Sequence, residues 1–139
     1  MRVLKLLVLA GLLMMPQGCV VLAVGAVAAA AAGVTYTVLG TAEKTFNEED
    51  DAVVAALQKA LVNLDIKTGD TRKTEENGKV VSTEIQAFAR DLTIIITIER
   101  ITDKATRVIV DASKKYVVKD AATAGEILIQ TTSNLPKKS

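Results

Sequence analysis

The chain has 139 residues with 17 basic and 16 acidic side chains, a net charge of +1, one cysteine, and neither histidine nor tryptophan. A balance this close to zero excludes the basic surface that nucleic acids and other polyanions require. Without histidine or a second cysteine there is no Ser-His-Asp or Cys-His pair, no histidine metal centre and no disulfide within the chain.

Met1-Arg2-Val3-Leu4-Lys5 is a basic start, Leu6 to Met15 a short apolar run, and Gly18 a small residue before Cys19. This succession reads as a secretory signal peptide over residues 1–18. A lone cysteine directly after the break is the expected lipidation site of a bacterial lipoprotein, with cleavage between Gly18 and Cys19. Pro16 and Gln17 stand where such a signal ordinarily has leucine and a small residue. The alternative is therefore an uncleaved N-terminal membrane helix. A single cysteine is often just a small buried hydrophobe, but its place at the end of the apolar run favours the anchor. Loss of Arg2 and Lys5 would turn the net charge to -1.

Val20 to Val34 contains only Ala, Val, Gly and Leu. As a helix it would span about 22 Å, short of a hydrocarbon core of about 30 Å. Residues 19–34 are expected to extend the anchor along the membrane or to pack on the domain. The globular fold is expected over 35–135, with 136–139 a polar tail.

From Thr35 the texture changes, and a strand containing Tyr36 and Val38 runs toward Phe46. Asn47-Glu48-Glu49-Asp50 predicts a helix start, with Asn47 as cap and Asp50 at the reciprocal place of a capping box. Val53, Leu57, Ala60, Leu61 and Leu64 then form one apolar stripe. Asp65 to Glu75 alternates weakly, and Asn77-Gly78 is a hairpin turn. Lys79 to Ala89, Leu92 to Ile101 and the stretch with Thr106, Val108 and Val110 alternate as strands, joined by breaks at Arg90-Asp91 and Thr102-Lys104. Asp120 to Ser133 is the last element, a helix with Ala124, Ile127, Leu128, Thr131 and Leu135 on one face. Its threonines are poor helix formers.

These elements predict an α+β two-layer sandwich in the order β-α-β-β-β-β-α. Two helices would cover one face of an antiparallel sheet of four to five strands. Ile94, Ile96 and Ile98 would meet the helices. The open face would carry Ser82, Glu84, Gln86, Thr93, Thr97 and Glu99, with Val80, Phe88 and Ile95 among them. Those three would make an apolar patch with a polar rim, the composition of a binding surface.

Other candidates have plainer readings. Glu48-Glu49-Asp50-Asp51 offers oxygens for a divalent cation, but dipole compensation at a helix start explains it. Glu84 and Glu99 resemble a carboxylate pair for glycoside chemistry, but solvated positions on a sheet face account for both. Lys114-Lys115 and Lys137-Lys138 suit lipid headgroups or peptidoglycan carboxylates, but two isolated pairs in a chain of near-zero net charge are accounted for by solubility. Leu92 to Ile101 is the most adhesive strand, the one through which copies would associate if it lay at an edge.

The lipidated cysteine, the stretch Val20-Val34 and the Tyr36 strand come first in the chain. The helix with Ala55-Ala56-Leu57 and Lys59-Ala60-Leu61, the strands, and Glu126-Ile127-Leu128-Ile129 follow. This order resembles the DUF3568 family of small bacterial lipoproteins of unknown function. The resemblance implies an envelope lipoprotein with no established activity, no catalytic residue and no cofactor. Val20 after the cysteine, in place of aspartate, implies outer-membrane sorting toward the periplasm. Partners would be the membrane, through acyl chains on Cys19, and an envelope protein. The expectation is a non-enzymatic binding or assembly domain, with a self-associating structural subunit as the alternative.

Overall fold

The computed structural model describes residues 33–138. Gly18, Cys19 and the apolar stretch up to residue 32 lie outside the described residues. Strands β1 (Thr35–Tyr36) and β2 (Ala42–Phe46) lead into helix α1 (Asp50–Asn63). Next come β3 (Lys67–Glu76), β4 (Lys79–Ala89), β5 (Leu92–Thr102), β6 (Ala105–Lys114), β7 (Val118–Lys119) and helix α2 (Ala121–Asn134). The described sheet is antiparallel in the order β1-β2-β6-β5-β4-β3, and β7 pairs with β6.

The α+β class and the long elements agree with the sequence reading, but the sheet has seven strands instead of four to five. Thr35 to Phe46 is a hairpin, not one strand. Thr37 N–H donates to the Thr41 carbonyl at 2.9 Å, and Gly40 turns the chain at a φ of 78°. After β6 a second turn folds β7 back as another short pairing.

Helix α1 buries Val53, Leu57, Ala60 and Leu61, the expected stripe. Its start differs from expectation. Glu49 is the N-cap and no side chain caps it, so the box between Asn47 and Asp50 does not form. Asp50 instead accepts from Arg100 at 2.6 Å across the layer. The helix closes with Asp65 at a φ of 56° and Ile66 N–H donating to the Leu61 carbonyl, the left-handed termination usually left to glycine.

Helix α2 is capped as predicted, with Thr123 N–H donating to Asp120 Oδ1 at 2.9 Å. Its hydroxyl-rich end fits a helix because Thr131, Thr132, Ser133 and Asn134 each donate a side-chain hydrogen bond to the carbonyl four residues back.

Ile85, Ala87, Ile94, Ile96, Ile98, Val108, Val110 and Ala112 are buried on one sheet face, packed with the apolar stripes of both helices. At the edge of this core Lys44 of β2 donates to Thr132 Oγ1 at 3.0 Å and lies 5.3 Å from the centroid of the Phe46 ring. Burial lowers its pKa.

Two further expectations are corrected. Leu92 to Ile101 is not an edge, because β5 pairs with β4 over residues 92–99 and with β6 on its other side. The outer strand beyond β4 is β3, polar and exposed throughout, a composition that resists edge-to-edge pairing. Val80 also leaves the predicted face. Thr74 pairs with Ser82 but Glu75 pairs with Val80, so a bulge at Val81 shifts the alternation by one residue. Val80 consequently lines a hollow beside α1 with Thr83, Ile85 and Val54.

Candidate functional site: the open sheet face

Both helices pack on one face of the sheet, so the alternate residues of β4, β5 and β6 form the other. The pairings Phe88 with Thr93, Ile95 with Gln86 and Asp111, and Ile109 with Thr97 fix the geometry. Phe88, Ile95 and Ile109 are therefore diagonal neighbours on three adjacent strands. They form an oblique apolar stripe, within the reach over which cross-strand side chains interact. Of the three predicted patch residues the structure brings together Phe88 and Ile95, and Ile109 takes the place of Val80. Ile109 was legible in principle, since it alternates with the buried Val108 and Val110.

Phe88 is only partly free. Its ring leans over Gly69 of β3, where an added methyl would lie 2.8 Å from Cε2. It also borders a groove of about 580 Å³ with Leu64, Ile66, Lys67 and Leu92. Ile95 forms the floor of a shallow hollow of about 110 Å³ with Asp70, Arg72, Glu84 and Gln86.

The rim is made of ion pairs. Arg72 lies 3.7 Å from Glu84. Arg107 grips Glu99, with Nε at 2.8 Å and a second nitrogen on the same oxygen. Lys119 Nζ donates to Asp111 Oδ1 at 2.7 Å. The hydrogen bonds that Arg107 donates to Glu99 raise the Arg107 pKa. Glu84 and Glu99 sit diagonally, opposite Thr97 and Ser82, and each faces an arginine, Arg72 and Arg107 respectively.

A family model for proteins of unknown function, DUF3568, matches residues 2–115. The chain belongs to the DUF3568 family. No curated protein matches it. The family match takes in β1 to β6 and hence the whole apolar stripe of this DUF3568 chain; β7 and α2 lie beyond it.

The remaining charged candidates of the DUF3568 domain disperse. Asp50 goes to Arg100, Glu48 lies 3.0 Å from Lys138 Nζ, and Lys114 pairs with Asp91. The four consecutive acids therefore do not converge on one point. Among the described residues no helix is long and apolar enough to cross a membrane.

Proposed function

We propose that this DUF3568 chain is a membrane-tethered, non-enzymatic envelope lipoprotein whose α+β domain binds a protein partner through its open sheet face. The tether is Cys19, acylated after cleavage behind Gly18, with the domain facing the periplasm from the outer membrane. One observation supports the binding face above all. The stripe of Phe88, Ile95 and Ile109 crosses three strands on the face away from both helices, and paired charges surround it. Such a surface loses water from its apolar centre on docking while its rim keeps its hydrogen bonds.

Two measurements test the reading. The intact mass of protein purified from membranes should correspond to a chain beginning at Cys19 plus acyl groups; a mass that includes residues 1–18 overturns the tether. Crosslinking in intact envelopes should give a discrete adduct that disappears in Ile95→Asp while the circular dichroism spectrum is unchanged. An adduct that survives Ile95→Asp overturns the binding face.

A further inference from the structure

The strands of the sheet run between two poles. Asn47 to Asp51, the Asn77-Gly78 turn and the Thr102 to Lys104 turn share one pole, where Glu48, Glu49, Asp51, Glu76 and Asp103 are interleaved with Lys79, Lys104 and Lys138. At the other pole lie the β1–β2 turn, the β4–β5 turn and the β6–β7 turn. Residues 33–42 and 112–119 of that pole contain no acid and include Lys114, Lys115 and Lys119. Lys114 and Lys119 are held by Asp91 and Asp111, whereas Lys115 has no carboxylate partner among the described residues.

This second pole is also apolar. Val38 is 103% exposed and Leu39 74% in the first turn; Tyr116, Val117 and Val118 are 70%, 80% and 63% exposed in the second. The two turns touch, since a methyl added at Gly40 would lie 2.7 Å from Lys119 Cβ. Five large exposed apolar side chains thus lie on two turns that meet at Gly40 and Lys119. The first turn is braced by a 2.7 Å hydrogen bond between the Thr37 and Thr41 hydroxyls, so Val38 and Leu39 are presented by a defined loop.

Turn chemistry does not explain these residues. Lys115 and Tyr116 have φ values of 51° and 60°, and Val117 N–H donates to the Lys114 carbonyl. The opposite pole makes its left-handed pair with Asn77 and Gly78, the residues such a turn favours. Lysine and tyrosine take the same conformation at a cost. Exposed valine and leucine beside tyrosine and lysine suit the boundary between acyl chains and anionic headgroups, where each finds its preferred medium.

We infer that this tip inserts into the headgroup region of an anionic lipid bilayer. The inference rests on the tethered reading above and goes beyond it. The fifteen residues from Cys19 to Gly33 amount to at most about 50 Å of chain, so the length of the tether does not by itself orient the domain. Val34, where the apolar run ends, lies at most about 15 Å along the chain from Val38. The apolar run thus enters the domain through β1, the strand that leads directly into the first turn of the tip. Docked on the membrane, the tip sends the opposite pole outward and stands the strands and their open face away from the bilayer plane.

The chain has no tryptophan, so Tyr116→Trp supplies a single tryptophan, and Ile101→Trp, near the opposite pole, supplies the control. The full chain is reconstituted into vesicles of phosphatidylethanolamine and phosphatidylglycerol, with and without brominated acyl chains, and floated on a density gradient. For Tyr116→Trp the emission should shift to the blue, and brominated lipid should remove roughly half of it. For Ile101→Trp the emission should stay that of a solvated ring. Flotation with an unquenched Tyr116→Trp signal overturns the tip and leaves the tether standing; failure to float overturns both. A blue shift that depends on protein concentration in detergent, without quenching in vesicles, identifies a second copy as the occupant and also overturns the proposal.

Discussion

The hydroxyl of Tyr36 occupies the space that a side chain on Gly125 would need. A methyl group at position 125 would lie 2.0 Å from Tyr36 Oη and 2.9 Å from Cζ. Glycine within a helix costs about 1 kcal/mol relative to alanine, and here that loss makes room for the ring that joins β1 to α2. Gly125→Ala should therefore lower stability by about 1–2 kcal/mol, because overpacking outweighs the gain in helix propensity. Combined with Tyr36→Ala it should cost less than the two single changes together, by about 1 kcal/mol in a denaturant double-mutant cycle. Strict additivity would show that the two residues do not share the space.

Adjacent isoleucines of β5 should behave oppositely. Ile96 is fully buried between the sheet and the helices, while Ile95 sits on the open face. Ile96→Ala should cost about 3 kcal/mol in urea unfolding through lost burial and a residual cavity. Ile95→Ala should cost about 1 kcal/mol or less, since its surroundings remain solvated. Equal losses would mean that the open face is part of the folding core.

Asp120→Ala should destabilise the domain by about 1 kcal/mol, because it removes both the bond from Thr123 N–H and the one from the Thr123 hydroxyl. Asn47→Ala should change stability by less than about 0.5 kcal/mol, since its side chain does not cap α1. A thermal melt of the two variants separates these outcomes.

The Asp91–Lys114 contact sets a pH dependence. Hydrogen bonding from Lys114, and then from its own backbone N–H, holds the Asp91 carboxyl below the usual range. A carboxyl depressed in the folded state contributes stability above its unfolded value of about 3.9 and loses it as pH falls through the folded value. The melting temperature of the wild type should therefore exceed that of Asp91→Asn near neutral pH, and the gap should close in acid. The gap should be small and shrink with salt, because both side chains are more than half exposed. A gap that widens in acid would contradict the assignment.

The long elements were legible because their signals are local. The α1 stripe, the Asn77-Gly78 turn, the alternation of β4 and β5, and the Asp120 cap all depend on residues within a few positions of one another. Val80 was misplaced because a bulge at Val81 is a property of two paired strands, and alternation within one strand is blind to it. Asn47 was misread for a related reason: Arg100, fifty residues away, takes Asp50.

The sequence by itself determined the class, the composition of the core and the chemistry missing for want of histidine and a second cysteine, because periodicity and residue inventory are written along the chain. Only the tertiary structure decided that Leu92 to Thr102 is interior, that Ile109 joins Phe88 and Ile95, and that two distant turns meet at Gly40 and Lys119. Strand order and register arise when separate segments compete for the same hydrogen bonds and the same core. The outcome belongs to their pairing and not to any one of them.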